Sequence, residues 1–284
     1  MYRTSPVRLD ESVFLKSPAP SSNKPLLTFP ASAWMKSNGA SIVWAASVWF
    51  VIGLLTLMFS FAIMFCAACL LLADPKRKFL HWLATLWGRS IFLCTPSWRL
   101  TVTGREHIDP QKPYILISNH QSLLDIMALF CLRRQFKWVA KASLFKIPFV
   151  GWSMSLTRYI KLVRGKSGSV RHAYDQARRW LSAGISVFFF PEGTRSRTGQ
   201  LGPFKNGAFK LALDTGIPIV PIVITGTREL LSRGNWLFRR RSHVRITVLP
   251  PINPARYHQQ AGIVRLRNET RHLIHQTLIN FAPQ

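Results

Sequence analysis

The stretch "YILISNHQSLLD", residues 114–125, decides how this chain is read. Residues 114–118 are a short apolar run with strand character, and residues 121–132 carry helical spacing. His120 therefore falls at a strand-to-helix corner, where α/β sheets present ligand-facing groups. Asp125 lies one turn into the helix and can reach back to the imidazole. A carboxylate on one ring nitrogen fixes the tautomer and leaves the other nitrogen a better base. The competing reading is an acid that stabilises the helix start beside a capped histidine. The pair alone does not decide, because a chain with eight histidines produces such spacings by chance.

Outward from this corner the texture repeats. Strand candidates are 99–103, 114–118, 136–140, 159–163, 186–190, 219–224 and 244–249. Helical spacing covers 121–132, 168–183, 206–215 and 261–281. Strands interleaved with helices predict an α/β fold, a mostly parallel or mixed sheet flanked by helices.

Upstream the character changes. Residues 40–73 contain no charged side chain. As one helix they would be about 51 Å long at 1.5 Å per residue, against about 30 Å of bilayer core. Two readings fit: a tilted span with an apolar extension, or a hairpin bent near Gly53. Lys24 and Lys36 before the segment and Lys76, Arg77 and Lys78 after it make both flanks basic, which favours the hairpin. Cys66 and Cys69 have CxxC spacing within this apolar run, where packing outweighs redox chemistry. Residues 76–93 set Phe79, Trp82, Leu83 and Leu86 on one helical face, which suits either a membrane-interface helix or packing against the next domain. Residues 1–36, rich in Ser and Pro, read as a flexible arm without the features of a secretory signal. The expected organisation is an arm at 1–36, a membrane helix or hairpin plus interfacial helix at 37–95, and an α/β domain at 96–284.

Net charge is +27 with 48% hydrophobic residues. The excess lies in the folded part, since 33 basic and nine acidic residues follow position 73. Apolar and basic together point to an anionic partner, either nucleic acid or a phospholipid surface.

A second motif is "FFFPEGTRS", residues 188–196. An apolar strand runs into Pro191, Glu192, Gly193, Thr194 and Arg195. Gly193 permits a tight turn and a close backbone approach. Nearby amides can hold an oxyanion, and Arg195 can grip a phosphate. An ordinary strand-ending turn with exposed charges is the alternative.

Asn119-His120-x-Ser122-x-x-Asp125 followed by Phe190-Pro191-Glu192-Gly193-Thr194-Arg195-Ser196 resembles the glycerolipid acyltransferases, specifically the 1-acyl-sn-glycerol-3-phosphate acyltransferase (PlsC-like) family. "VAKASLFKIPFVGW" at 139–152, "FKNGAFKLA" at 204–212 and "GIPIVPIVI" at 216–224 extend the likeness over residues 100–250. The family's Phe-Ile-Asp-Arg block aligns with Lys161-Leu162-Val163-Arg164, so Val163 replaces its acid. Arg158 or Lys161 could then share the work of Arg164.

The resemblance implies direct acyl transfer to lysophosphatidate, giving phosphatidate. His120 would be the base and Asp125 its orienting acid. Lys141, Arg164, Arg195 and Lys205 would bind the glycerol phosphate, with Glu192, Gly193 and Thr194 shaping the acceptor site. No cofactor or metal is implied; acyl-CoA or an acidic acyl-carrier protein is the co-substrate. The implied setting is a phospholipid membrane, the inner membrane of a bacterium with the domain facing the cytoplasm. The implied partners include no nucleic acid. Rival acceptors are glycerol 3-phosphate and a lyso-amino lipid, and a rival class is a basic nucleic-acid-binding membrane protein.

Other motifs lead elsewhere. "RGKSG" at 164–168 lacks the earlier P-loop glycine, because position 160 is Ile160. No G-x-S-x-G is present. Glu269, His272 and His275 share a helical face but lack further metal ligands. "FRRRSH" at 238–243 suits contact with lipid headgroups or a carrier protein.

Overall fold

In the computed structural model, residues 39–70, 72–196, 198–231, 233–257 and 261–281 are described, so the arm expected at 1–36 lies outside them. All seven expected strands form, in one sheet. They are β1 Trp98–Thr103, β2 Ile115–Ser118, β3 Phe136–Lys141, β4 Ile160–Leu162, β5 Ser186–Phe189, β6 Ile219–Thr225 and β7 Ser242–Val248. Their order is β1-β7-β6-β2-β5-β3-β4. β2 to β6 run parallel, and β7 pairs antiparallel with β6 while β1 pairs parallel with β7. The sheet is thus mixed.

Helices cover both faces, which is why the central strands are continuous apolar runs. Alternation along each strand then chooses the layer. Leu116, Phe188, Val220 and Ile222 join one core. That core includes α1 Gly39–Cys69, α2 Lys78–Leu93 and α3 Leu124–Phe130. Ile115, Ile117, Val187 and Ile219 join the other. It packs against α5 Ser167–Ser182, α6 Gly207–Thr215 and α8 Gly262–Asn280. α4 Val150–Leu156 and the one-turn α7 Thr227–Leu230 complete the described helices. Neither was legible in the helical spacing.

α1 takes the first of the two forms considered for this segment. It is a single helix of 31 residues, about 46 Å long at 1.5 Å per residue, and does not bend at Gly53. A mid-helix glycine costs only about 1 kcal/mol, and no proline lies beside it to break the ladder. α1 is long and apolar enough to cross a membrane. Yet it lies along the domain. Ala45, Val48, Ile52, Ile63 and Ala67 form a buried stripe. The Trp49 indole donates to the Trp236 carbonyl at 2.9 Å, and the Trp87 indole donates to the Thr56 hydroxyl at 3.1 Å. Phe61 and Phe149 rings lie 5.4 Å apart. The opposite face stays apolar and exposed, with Phe50 at 70% and Phe65 at 71%.

α2 packs one face against α1 and leaves an aromatic pair exposed on the other. Asp74 caps it, accepting the amides of Lys78 at 2.7 Å and Phe79 at 3.0 Å. Leu80 and Leu83 pack against Ile63 and Ala67 of α1, whereas Phe79 and Trp82 point outward with rings 5.3 Å apart.

Candidate active site

The parallel register assembles the site. Ile117 of β2 pairs with Phe189 of β5, so His120 and Glu192 each lie three residues beyond a matched pair. Both loops leave the carboxyl edge of adjacent strands, the usual ligand edge of such sheets. On the other flank of β2, Ser118 pairs with Ile222 of β6. Asn119 locks this corner: its side chain donates to the Ile224 carbonyl and accepts the Ile224 amide, each at 2.9 Å. Lys141 ends β3 and Arg164 follows β4, so the same edge carries them too.

His120 Nδ1 lies 2.8 Å from Asp125 Oδ2. That oxygen also accepts the amides of Gln121 at 2.6 Å and Ser122 at 2.9 Å, and Thr227 donates to Oδ1 at 2.5 Å. Ser122 and Asp125 follow the capping-box spacing, with the acid reaching back to the helix start. Asp125 therefore serves both roles considered for it: it caps α3 and grips the imidazole. Its side chain is fully buried, and that of His120 is 14% exposed. The imidazole stacks on Phe190, centroids 4.0 Å apart. With Nδ1–H donated to Asp125, Nε2 keeps its lone pair, and it has no protein partner among the described residues. It can take a proton from a bound hydroxyl.

Glu192 supports the loop rather than the ring. Oε1 accepts the His120 amide at 2.9 Å and Oε2 accepts the Gly202 amide at 2.9 Å. Burial raises its pKa, an effect the Gly202 and His120 amides partly offset. The His120 carbonyl accepts the Ser196 amide at 2.8 Å. Gly193 has φ +71, the left-handed conformation that its turn requires. Its own amide donates to the Phe190 carbonyl at 3.0 Å. The next amides, of Thr194 and Arg195, have no partner among the described residues.

A cavity of about 570 Å³ adjoins this corner. His120, Gly193, Lys141, Arg164 and Lys205 border one part. Trp49, Ile52, Phe59 and Ile63 of α1 border another, so the space runs from cations to an apolar wall. Lys205 packs over Gly193, where an added Cβ would meet its Cε at 3.2 Å. Desolvation lowers the pKa of Arg164 and, together with the Arg164 charge, that of Lys205. Among the described residues, neither these cations nor Lys141 forms an ion pair, which leaves them free for an anion. Thr194 and Arg195 do not border the cavity. Desolvation lowers the Arg195 pKa while Asp125 opposes the shift. Arg158 and Lys161, the substitutes considered for Arg164, border a separate depression instead. Glu269 bonds Tyr257, and no metal-binding group of His, Cys, Asp and Glu occurs among the described residues.

Thr227 was absent from the sequence reading. It follows the "GIPIVPIVI" block by three residues, at the end of a strand that proves to neighbour β2. The strand order supplies its role.

Residues 99–225 match the Acyltransferase family model. The chain is 40% identical over 186 residues to the chloroplastic 1-acyl-sn-glycerol-3-phosphate acyltransferase LPAT1 of Arabidopsis thaliana, covering 64% of this chain and 51% of that protein. It is 41% identical over 162 residues to the 1-acyl-sn-glycerol-3-phosphate acyltransferase of Saccharomyces cerevisiae, covering 54% and 51%. The chain thus spans about half the length of these curated relatives. The crystal structure of the 1-acyl-sn-glycerophosphate acyltransferase PlsC from Thermotoga maritima superimposes with a TM-score of 0.74 at 24% identity, covering 86% of this chain and 97% of that one. That likeness concerns the fold. Residues 99–225 thus match an acyltransferase domain, and over that stretch the chain is similar to the 1-acyl-sn-glycerol-3-phosphate acyltransferases.

Proposed function

We propose that this protein transfers a fatty acyl group from a thioester to the free hydroxyl of lysophosphatidate, giving phosphatidate. The observation that carries the reading is the position of His120: beside a cavity with unpaired cations in one part and an apolar wall in another. Lysophosphatidate has the same two-part chemistry.

His120 Nε2 takes the hydroxyl proton as the oxygen attacks the thioester carbon. Asp125 holds the tautomer and stabilises the imidazolium. The attack gives a tetrahedral oxyanion. Collapse breaks the carbon–sulfur bond, and the imidazolium returns its proton to the departing thiolate. The oxygen–carbon bond replaces the sulfur–carbon bond, so no covalent enzyme intermediate and no cofactor is needed. Lys141, Arg164 and Lys205 take the acceptor phosphate, with Arg195 adding positive charge from behind; Glu192 and Thr194 shape the loop.

The protein works on a phospholipid membrane. The side-on packing of α1 supports a seat within one leaflet, because the domain accompanies the helix along its length. Exposed Ile147, Trp152 and Leu156 near α4 add to that apolar surface. The setting is the cytoplasmic face of a bacterial inner membrane, and the donor is acyl-CoA or an acyl-carrier protein.

The test is a panel of acceptors given to the purified protein in bilayers: lysophosphatidate, glycerol 3-phosphate and a lyso-amino lipid. Preferential acylation of lysophosphatidate is expected. Acylation of another acceptor alone would overturn the assignment.

A further inference from the structure

A second cavity, of about 640 Å³, lies over the open edge of the sheet at β4. Arg158, Lys161, His172, Arg179 and Trp180 border it, and no acidic residue does. Its volume is that of a small-molecule site. The Lys161 ammonium is 5.2 Å from the Phe145 ring centroid, and Arg158 makes one long bond, 3.4 Å, to the Pro75 carbonyl. Arg179 is exposed, and its guanidinium has no partner among the described residues. Arg158 also has φ +56, a backbone conformation that a large residue enters at a cost of about 1–2 kcal/mol. Such strain at a charged residue in a cavity is a pointer to function. Trp180 adds an aromatic wall, with the buried Lys137 ammonium 4.5 Å from its centroid.

This depression adjoins the catalytic cavity. Tyr159 borders both, and the turn after β4 divides its residues between them: Leu162, Arg164 and Gly165 face the first, Lys161 and Ser169 the second. β4 is three strand spacings from β2, which carries His120, or about 14 Å across the sheet. Lys161 and Ser169 lie toward the carboxyl edge that carries His120, and Arg179 and Trp180 lie further along the groove, toward the amino ends of the strands. A pantetheine arm spans the crossing from the Lys161 end of the groove.

We infer that this edge groove binds the phosphorylated nucleotide portion of a coenzyme A thioester, leaving the arm to carry the acyl group to His120. The inference rests on the acyltransferase reading and adds the donor class. Three cations match a diphosphate and a ribose phosphate, and Trp180 offers the base a stacking surface. The acceptor phosphate already has Arg164 and Lys205. A concave, aromatic-walled groove suits a nucleotide better than the convex helix of an acidic carrier protein.

The test uses the full chain in bilayers with Arg179→Glu and Lys161→Glu. Coenzyme A itself is the binding probe, read by calorimetry, so the result stands whether or not turnover is seen. Each variant is expected to weaken coenzyme A binding about tenfold or more, by loss of a charge-assisted contact. In turnover, KM for acyl-CoA rises equally while KM for lysophosphatidate stays within twofold, and adenosine 3′,5′-bisphosphate competes with acyl-CoA. Unchanged coenzyme A binding in both variants overturns the inference. So does a rise in KM confined to an acyl-carrier-protein donor, which would make the groove a protein-docking site.

Discussion

Glu192 holds the backbone of His120, not its ring: one carboxylate oxygen accepts the His120 amide while the other accepts that of Gly202. The residue of the second motif that most resembles a catalytic acid is therefore a brace between two loops. Its partner amide lies 72 positions away in sequence and one strand away in the sheet.

Glu192→Gln keeps one acceptor oxygen and turns an amide nitrogen toward a backbone N–H. Losing one hydrogen bond to a charged group costs about 1.5–3 kcal/mol. Turnover should fall about 10- to 100-fold at 1.36 kcal/mol per decade. The shape of the rate–pH profile should persist, since the titrating imidazole remains. Loss of a limb of that profile would instead make Glu192 a proton carrier.

Thr227 donates to the Asp125 oxygen that His120 leaves free. Thr227→Val keeps the shape and removes the donor. The loss of about 1–2 kcal/mol of orientation should lower kcat about tenfold. Thr227→Ser should restore most of it. Equal activity in the valine and serine variants would exclude a positioning role.

Arg164 and Lys205 face the cavity without acidic partners among the described residues. Arg164→Ala or Lys205→Ala should raise KM for lysophosphatidate about 10- to 100-fold, as charge-assisted contacts to phosphate are lost. Lysophosphatidate binding should also weaken as pH rises through the lowered pKa of Lys205, since its positive charge disappears. Steady-state kinetics against acceptor concentration reads both effects.

Lys137 is fully buried, donates to the Thr157 carbonyl at 2.7 Å, and has its pKa lowered from 10.5 to about 7, chiefly by burial. Between those values the unfolded chain binds the proton that the folded protein releases. Stability should therefore rise from pH 7 toward pH 10, by up to a few kcal/mol at 1.36 per pKa unit. Below pH 7 both states are charged at this site and the full penalty applies. Lys137→Met should flatten that slope. Thermal unfolding at several pH values checks it, and an unchanged slope in the variant would exclude Lys137 as the source.

Much of the fold was legible because strands buried on both faces leave apolar runs bounded by turns, as at 114–118 and 219–224. The His120–Asp125 corner was legible because five positions span one loop and one helical turn. The joining of corners was not. That β2 lies between β5 and β6 depends on contacts 70 to 105 residues apart, which is why Glu192 bracing His120 and Thr227 contacting Asp125 emerged only in three dimensions. α4 escaped notice because Pro148 and Gly151 interrupt its apolar spacing. The continuity of α1 was hidden by basic flanks that suited a hairpin, whereas its course follows the buried stripe from Ala45 to Ala67.

The central claim is that His120 Nε2 takes the acceptor proton. Phosphatidate formation from lysophosphatidate and acyl-CoA, measured side by side for the parent protein and His120→Ala in bilayers, tests it most directly. General base catalysis is worth about 10²–10⁴-fold, so a loss of that size is expected with circular dichroism and lysophosphatidate binding unchanged. Turnover in the folded variant within a few-fold of the parent would contradict the claim.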